Sequence, residues 1–338
     1  MTDATPPVNP PTAAVLDAVR RSCHRPAMAW RAPPAPLAGG FWAEMWVGDL
    51  VGGPDDWPTR VVVRMAPDLA SAQRETAIQA AVAALGYPTP RIRASGVIVG
   101  TGRPWNVMDF VAGRPLLDGL DGVAAIRALP RIARELPEHL GAMMARLHAL
   151  PTDELRAELD AVAPGTAGLD GYIEYLGLEI DRLDATRLGT ALDALVRDHP
   201  EPRPHVICHG DLHPFNVLLT AEGPIVIDWT AARIAHPAYD VACTSLLLEV
   251  PPLVAPAPVD RVVRGAARAL ARRFRSRYRA HGGALFSEST LRWFQDLASI
   301  RILLEVDQWR AREGVDPHAG HPWLMMAPTL EARLASRR

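Results

Sequence analysis

The sequence predicts a two-lobed α+β protein. Its first lobe is an antiparallel β-sheet with one key helix; its second is mostly helical and carries a small β insert. Three observations predict this. Strand-like segments crowd residues 36–111, and from residue 132 apolar residues recur at spacings of three and four. One island of strand, 205–227, interrupts the helices. The length of 338 residues also fits two lobes at ~150 residues each.

Residues 1–25 read as an N-terminal tail and short helix. Pro6, Pro7, Pro10 and Pro11 make the first dozen residues a mobile tail, and a helix is expected over Ala13–Cys23. No charged start precedes an apolar run there, so no signal peptide is expected. Residues 26–111 form the first lobe. Gly39-Gly40 leads into the strand Phe41–Val47, and Gly52-Gly53-Pro54-Asp55-Asp56 turns the chain into a second strand, Arg60–Met65. Asp68 is a natural N-cap for the helix that follows, Gly86 ends it, and Pro88 prevents its continuation. Its apolar stripe, Ile78, Val82 and Leu85, extends back to Glu75, an acidic residue on an inward face that needs a partner there. Strands are expected again at Gly96–Val99 and Trp105–Val111, with Gly113 as the hinge.

Residues 112–338 form the second lobe. Ile132, Leu136, Leu140, Met144, Leu147 and Leu150 predict a long helix ending before Pro151. Helical patterns recur at Leu169–Leu183, Arg187–Val196, Asp260–His281 and Ser287–Arg312. Between them lie strands at His205–Cys208, Val217–Leu219 and Pro224–Ile227, the last two joined by the turn Ala221-Glu222-Gly223.

Composition narrows the chemistry. Apolar residues make up 49% and charged residues 22%, ordinary values for a soluble globular protein. The 36 basic residues nearly cancel the 38 acidic ones, so no strong field exists to hold nucleic acid or an anionic membrane. All the basic residues are Arg, which excludes Schiff-base chemistry. Three widely spaced cysteines, Cys23, Cys208 and Cys243, fit neither a disulfide framework nor a zinc ribbon and point to a reducing, cytoplasmic setting. Cys208 and Cys243 lie in apolar settings and are expected to be buried and inert. The apolar stretch 241–259 is broken by Glu249 and four prolines and is too short to span a membrane.

The chemistry concentrates in His209-Gly210-Asp211-Leu212-His213-Pro214-Phe215-Asn216, followed twelve residues later by Asp228 in Val226-Ile227-Asp228-Trp229. Apolar strands flank this loop, and the hairpin after Asn216 folds the chain back toward Asp228. Two carboxylates and one carboxamide oxygen then converge, hard ligands suited to Mg²⁺. His205, His209 and His213 share a spacing of four, but Gly210 and Pro214 break any helix that would align them, so zinc is not expected.

His209-Gly210-Asp211 with Asn216, then Ile227-Asp228-Trp229, resembles the catalytic signature of the aminoglycoside phosphotransferase and choline kinase relatives. Pro237–Ala242 with Asp240, and Leu140-Gly141 leading to Leu147-His148, resemble further segments of that family. The resemblance covers roughly residues 30–330 and implies a bilobal protein-kinase-like fold. It implies a small-molecule kinase moving the γ-phosphoryl of ATP or GTP onto a hydroxyl, with Mg²⁺, two ions by expectation. By that resemblance, Asp211 is the catalytic base, and Asn216 and Asp228 hold the metal. His209 and Asp240 support the loop.

The same resemblance places nucleotide contacts in the first lobe. Gly39, Gly40 and Phe41 would approach the phosphates, and Arg64 would reach them in place of the family's usual Lys. Glu75 would be Arg64's helix partner. Met108 would line the adenine slot, with the backbone of Asp109, Phe110 and Val111 on the base edge. Trp229-Thr230 departs from the family's usual Trp or Phe followed by Glu or Gly. Acceptor contacts are expected from Glu305, Asp307 and the loop 316–321, including His318 and His321. Acceptor candidates are aminoglycosides or macrolides, amino sugars or sugars, and choline- or homoserine-like alcohols. The protein would act as a monomer or homodimer. The alternative is a catalytically silent kinase-like binding module, although such a protein is expected to lack one of Asp211, Asn216 and Asp228. A protein kinase is disfavoured because nothing like a D-F-G or A-P-E segment occurs, and little chain separates Asp228 from Pro237.

Overall fold

The computed structural model describes residues 11–37, 43–117, 122–199, 205–251, 257–312 and 322–336. It opens with α1 (Pro11–Ser22), so Pro11 and Thr12 belong to a helix rather than to a tail. The first lobe then runs β1 (Ala29–Trp30), β2 (Ala35–Pro36), β3 (Glu44–Val51), β4 (Arg60–Met65), α2 (Leu69–Ala84), β5 (Ile92–Val97) and β6 (Pro104–Asp109). The sheet is antiparallel in the order β1-β3-β4-β6-β5, with β2 also pairing with β3.

Strand alternation decides which residues of β4 face the cleft. Val61, Val63 and Met65 point to one face and join Val15, Leu16, Val19 and Val107 in a compact core. Val62 and Arg64 point to the other. There the register sets Met45 opposite Arg64 and Met108 opposite Val62. Helix α2 starts as its sequence indicates: the Asp68 carboxylate accepts the Ser71 N–H at 2.8 Å, and Gly86 follows the helix with φ +78°. Ile78 and Val82 are fully buried on its inner face, each worth roughly 1.5–3 kcal/mol of apolar transfer. Leu85, expected on the same stripe, is exposed because it sits at the helix C-cap, where the 3.6-residue period has ended.

The second lobe continues with β7 (Arg114–Pro115), α3 (Gly122–His148), α4 (Asp153–Val162), α5 (Leu169–Arg182), α6 (Thr186–Arg197) and β8 (Val206–Cys208). After a 3₁₀ turn at Pro214–Asn216 come β9 (Val217–Leu219), β10 (Pro224–Val226) and β11 (Arg233–Ala235). It finishes with α7 (Ala238–Glu249), α8 (Ala257–Ala280), α9 (Glu288–Arg310) and α10 (Ala327–Ala335). The small strands pair as β10-β9-β7 and β11-β8, and so grip both ends of the 209–216 loop. Leu136, Leu140, Met144 and Leu147 of α3 share one core with Phe274 and Tyr278 of α8. Gly141 lets the two helices touch, since a Cβ there would lie 2.7 Å from the Tyr278 backbone nitrogen.

Helix α3 starts ten residues before its apolar stripe and contains Pro130 and Pro137. The stretch read as a broken apolar run begins inside α7, a helix buried on all sides. Strands β7 and β11 and helices α4 and α10 were not anticipated. Among the described residues, no helix is long and apolar enough to cross a membrane.

Candidate active site

Strand β8 delivers the chain to His209 and Gly210, whose backbone N–H groups both donate to the carboxylate of Asp240 on α7, to Oδ2 at 2.9 Å and to Oδ1. Asp240 also accepts His148 Nε2 at 3.0 Å, and His148 Nδ1 lies 2.8 Å from the Tyr278 hydroxyl. One buried carboxylate therefore ties the loop to α3, α7 and α8. Gly210 adopts φ +79°, and a Cβ there would stand 2.4 Å from the Ala231 carbonyl, so only glycine fits. His209 is wholly buried. Its Nδ1 accepts the Asp211 N–H at 3.3 Å and its Nε2 meets the Ile227 carbonyl at 3.1 Å, which assigns the neutral Nε2–H tautomer. Burial pushes its pKa down, outweighing Asp240, Asp211 and Asp228.

These anchors aim Asp211 into a cleft of about 1780 Å³ that lies between the sheet and the helical lobe. Asn216 donates through Nδ2 to the Asp211 carbonyl at 3.0 Å and, more loosely, to its Oδ2 at 3.4 Å. Among the described residues, that leaves the carboxamide oxygen of Asn216 without a donor. The register Val217↔Val226 and the Ile227 N–H to Asn216 carbonyl bond, 3.0 Å, bring Asp228 back beside Asn216. The neighbouring Trp229 is fully buried and donates to Thr89 at 2.8 Å, so it fixes Asp228 on the opposite, cleft-facing side. Asp228 takes a left-handed φ of 64°, and its Oδ1 accepts the Thr230 hydroxyl. Among the described residues its second oxygen has no donor. One face of the cleft thus presents hard oxygen donors suited to a divalent cation.

From the first lobe, Arg64 donates to Glu75 at 2.5 Å and to the Thr230 hydroxyl at 3.1 Å. Both Arg64 and Glu75 are buried. Burial works against the guanidinium's charge, but Glu75 and Asp228 more than restore it, and its pKa lies above the ordinary value. Met108, Asp109, Phe110 and Val111 all line the cleft. However, the Asp109 N–H bonds to the Arg91 carbonyl at 3.1 Å and the Phe110 N–H to the Arg60 carbonyl at 3.3 Å. Among the described residues, Val111's is the one amide of the three expected on a base edge that makes no backbone bond.

Asp211 has a partner that sequence reasoning missed. Arg301 on α9 donates to its Oδ1 at 2.8 Å. Burial pushes the Asp211 carboxyl up, but Arg301 and His213 override this and hold it well below the usual carboxylate range. Glu305, one turn after Arg301, also lines the cleft and accepts Trp323 Nε1 at 3.1 Å. Burial, opposed by Arg301 and reinforced by Asp211, pushes its pKa up to about 7.

Asp307 belongs elsewhere. It lies off the cleft, bound by Arg187 at 2.8 and 3.0 Å, because two residues along a helix turn a side chain by some 200°. Gly39, Gly40, Phe41, His318 and His321 lie outside the described residues. Cys208 and Cys243 are buried, and burial pushes both thiols up, Cys243 to about 12. The signal for Arg301 was available: it is the single charge in the apolar run Leu297–Leu304. Arg74 and Arg233, which also line the cleft, gave no sequence signal.

Residues 46–276 match the model of the phosphotransferase enzyme family. The aminoglycoside 3'-phosphotransferase of Streptomyces fradiae is 30% identical over 186 residues, covering 52% of this chain and 65% of that protein. The match thus spans just under two thirds of the relative's length. Among solved structures, an amicoumacin kinase in complex with AMP-PNP, Ca²⁺ and Ami superposes with TM-score 0.61 at 11% identity, covering 95% of this chain and 93% of that one. Plasmodium vivax ethanolamine kinase superposes with TM-score 0.57, also at 11% identity, over 92% and 82%. At such identities these two likenesses speak for the fold, and both proteins are kinases by name.

Proposed function

The chain belongs to the phosphotransferase enzyme family, and from that premise we propose that it transfers the terminal phosphoryl group of ATP or GTP to a hydroxyl of a small molecule. The observation that carries this reading is the shared cleft: Asp211, Asn216 and Asp228 enter it from the helical lobe, and the buried pair of Arg64 on β4 and Glu75 on α2 enters from the first lobe. Phosphoryl transfer asks mainly for alignment and for neutralisation of spread negative charge.

In this reading Asp211, ionised throughout because Arg301 and His213 favour its charge, accepts the hydrogen bond of the acceptor hydroxyl and aims its oxygen at phosphorus. Arg64, fixed by Glu75, meets the inner phosphates with a charge it cannot lose. Asn216 and Asp228 would hold Mg²⁺, and their uncommitted oxygens fit a hard cation. The metal would supply charge neutralisation at the phosphate oxygens. The AMP-PNP and Ca²⁺ bound by the amicoumacin kinase support a nucleotide and a divalent cation in this cleft. A protein substrate is disfavoured by the short segment between Asp228 and Ala238, where α7 begins.

The test is Mg²⁺-dependent transfer from labelled ATP or GTP to a panel of hydroxylated acceptors, with Asp211→Ala as control. Transfer is expected to fall at least ~10²-fold in the variant, with nucleotide binding intact. Full transfer by Asp211→Ala would refute the base assignment, and nucleotide binding without transfer by the wild type would favour the silent binding module.

A further inference from the structure

Charge does not balance at the acceptor end of the cleft. Its carboxylates are spoken for: Glu179 is bound by Arg182 and Gln308, each at 2.7 Å, and Asp211 by Arg301 at 2.8 Å. Glu305 favours its neutral form up to about pH 7. Two guanidinium groups on the same walls have no such partner. Among the described residues, neither Arg74 nor Arg233 makes an ion pair.

Arg74 reaches down from α2 to the Thr230 carbonyl at 3.3 Å, and its Nε is buried without a hydrogen-bond partner, in a residue only 8% exposed. The carboxylates that act on it are already committed, Asp68 to the Ser71 N–H and Glu75 to Arg64. Arg233, on β11, lies against the Tyr172 ring at 3.6 Å and spends only Nε, on the Ala231 carbonyl and the Tyr239 hydroxyl. Among the described residues, the two ends of its fork find no hydrogen-bond partner. Burial and repulsion from Arg233 push Arg74 down to about 10. A pair of like charges held out of water without a counterion is unfavourable, and an anion would relieve it.

We propose that Arg74 and Arg233 form a seat for an oxyanion, a carboxylate or a phosphate ester, carried by the acceptor beside the hydroxyl that Asp211 receives. This rests on the reading of the cleft as a hydroxyl phosphotransferase and narrows its substrate class. The acceptor is a hydroxy acid or a phosphorylated alcohol. Among the described residues, apart from Asp228, which the reading gives to the metal, a polycation finds no unpaired carboxylate here and meets two guanidinium groups that make no ion pair.

The test uses the full chain saturated with Mg²⁺ and AMP-PNP, so that every nucleotide phosphate position is filled, and calorimetric titration with malonate, inorganic phosphate, malonamide and spermidine. One malonate or phosphate per chain is expected to bind with a dissociation constant of a few mM or tighter (~3–4 kcal/mol), with neither malonamide nor spermidine binding. The tighter of the two anions separates carboxylate from phosphate ester. Arg74→Met and Arg233→Met should each weaken anion binding by roughly tenfold or more, and Arg74→Lys should recover part of it. AMP-PNP affinity should change by less than about twofold in Arg74→Met, which also shows that this variant is folded. Absence of anion binding to the loaded protein, anion affinity unchanged in Arg74→Met, or preferential binding of spermidine would each overturn the seat. If AMP-PNP itself fails to bind, the phosphotransferase reading falls instead, and the same titrations on the free protein still judge the seat.

Discussion

Arg301 and Asp211, ninety residues apart in sequence, meet at 2.8 Å with the arginine almost wholly buried. The arginine fixes one carboxylate oxygen and leaves the other toward His213, 3.4 Å away, and the cleft. Arg301→Met should therefore lower the turnover rate at least ~10-fold, the scale of a charge-assisted hydrogen bond worth ~1.5–3 kcal/mol, with nucleotide affinity unchanged. Steady-state rates alongside calorimetry check this, and a nucleotide affinity that falls with the rate would assign Arg301 to general stability.

Glu75→Gln removes the partner of a buried cation. Arg64 would keep the Thr230 hydroxyl and the more distant charge of Asp228 but lose its bonded counter-charge, at a cost of roughly 3 kcal/mol of folding stability. Denaturant titration measures the loss. Arg64→Ala should weaken ATP or GTP binding about tenfold or more, and an unchanged dissociation constant would remove Arg64 from the phosphate site.

Gly210→Ala should destabilise the protein by at least ~2 kcal/mol, because alanine is strained at φ +79° and its methyl would strike the Ala231 carbonyl. A shift of the thermal midpoint by several degrees is the expected signal. Wild-type stability in this variant would mean that the loop adopts another backbone path.

Glu305 gives the fold a pH dependence. Its pKa is raised from 4.5 to about 7, so its contribution to stability is complete below pH 4.5 and is lost as pH climbs to 7. That loss is worth up to ~3 kcal/mol, less whatever the quarter of the side chain open to water screens. Glu305→Gln, uncharged throughout, should flatten the decline in unfolding free energy between pH 5 and 8. An identical slope in variant and wild type would assign the decline to other groups.

Much of this was legible in the sequence because it is local. Asp211, Asn216 and Asp228 lie within eighteen residues, joined by a hairpin whose turn is written in Ala221-Glu222-Gly223. Arg64 and Glu75 are separated only by a capped helix start, so strand alternation and helical period suffice to face them. Arg301 stood out as a lone charge in an apolar run, but its partner Asp211 lies ninety residues away and no period links the two. Arg74 was illegible because the Thr230 carbonyl it reaches belongs to a distant segment, and Arg233 because a strand of three residues sets no pattern for its side chain. Helix α7 escaped for another reason: buried on every side, it shows neither the helical nor the strand alternation. Strands of two or three residues, such as β7 and β11, are too short to show a period of two.

With Arg64 in the strand position facing the cleft, and no lysine anywhere in the chain, the pocket offers no aliphatic amine to an electrophile. Acyl-phosphate nucleotide analogues, which tag proteins by transferring an acyl group to a nearby amine, would leave this cleft unmarked, since a guanidinium stays protonated and does not accept the acyl group. Profiling by acyl-phosphate nucleotides would pass over this cleft, whereas dicarbonyl reagents that condense with guanidinium groups would report it.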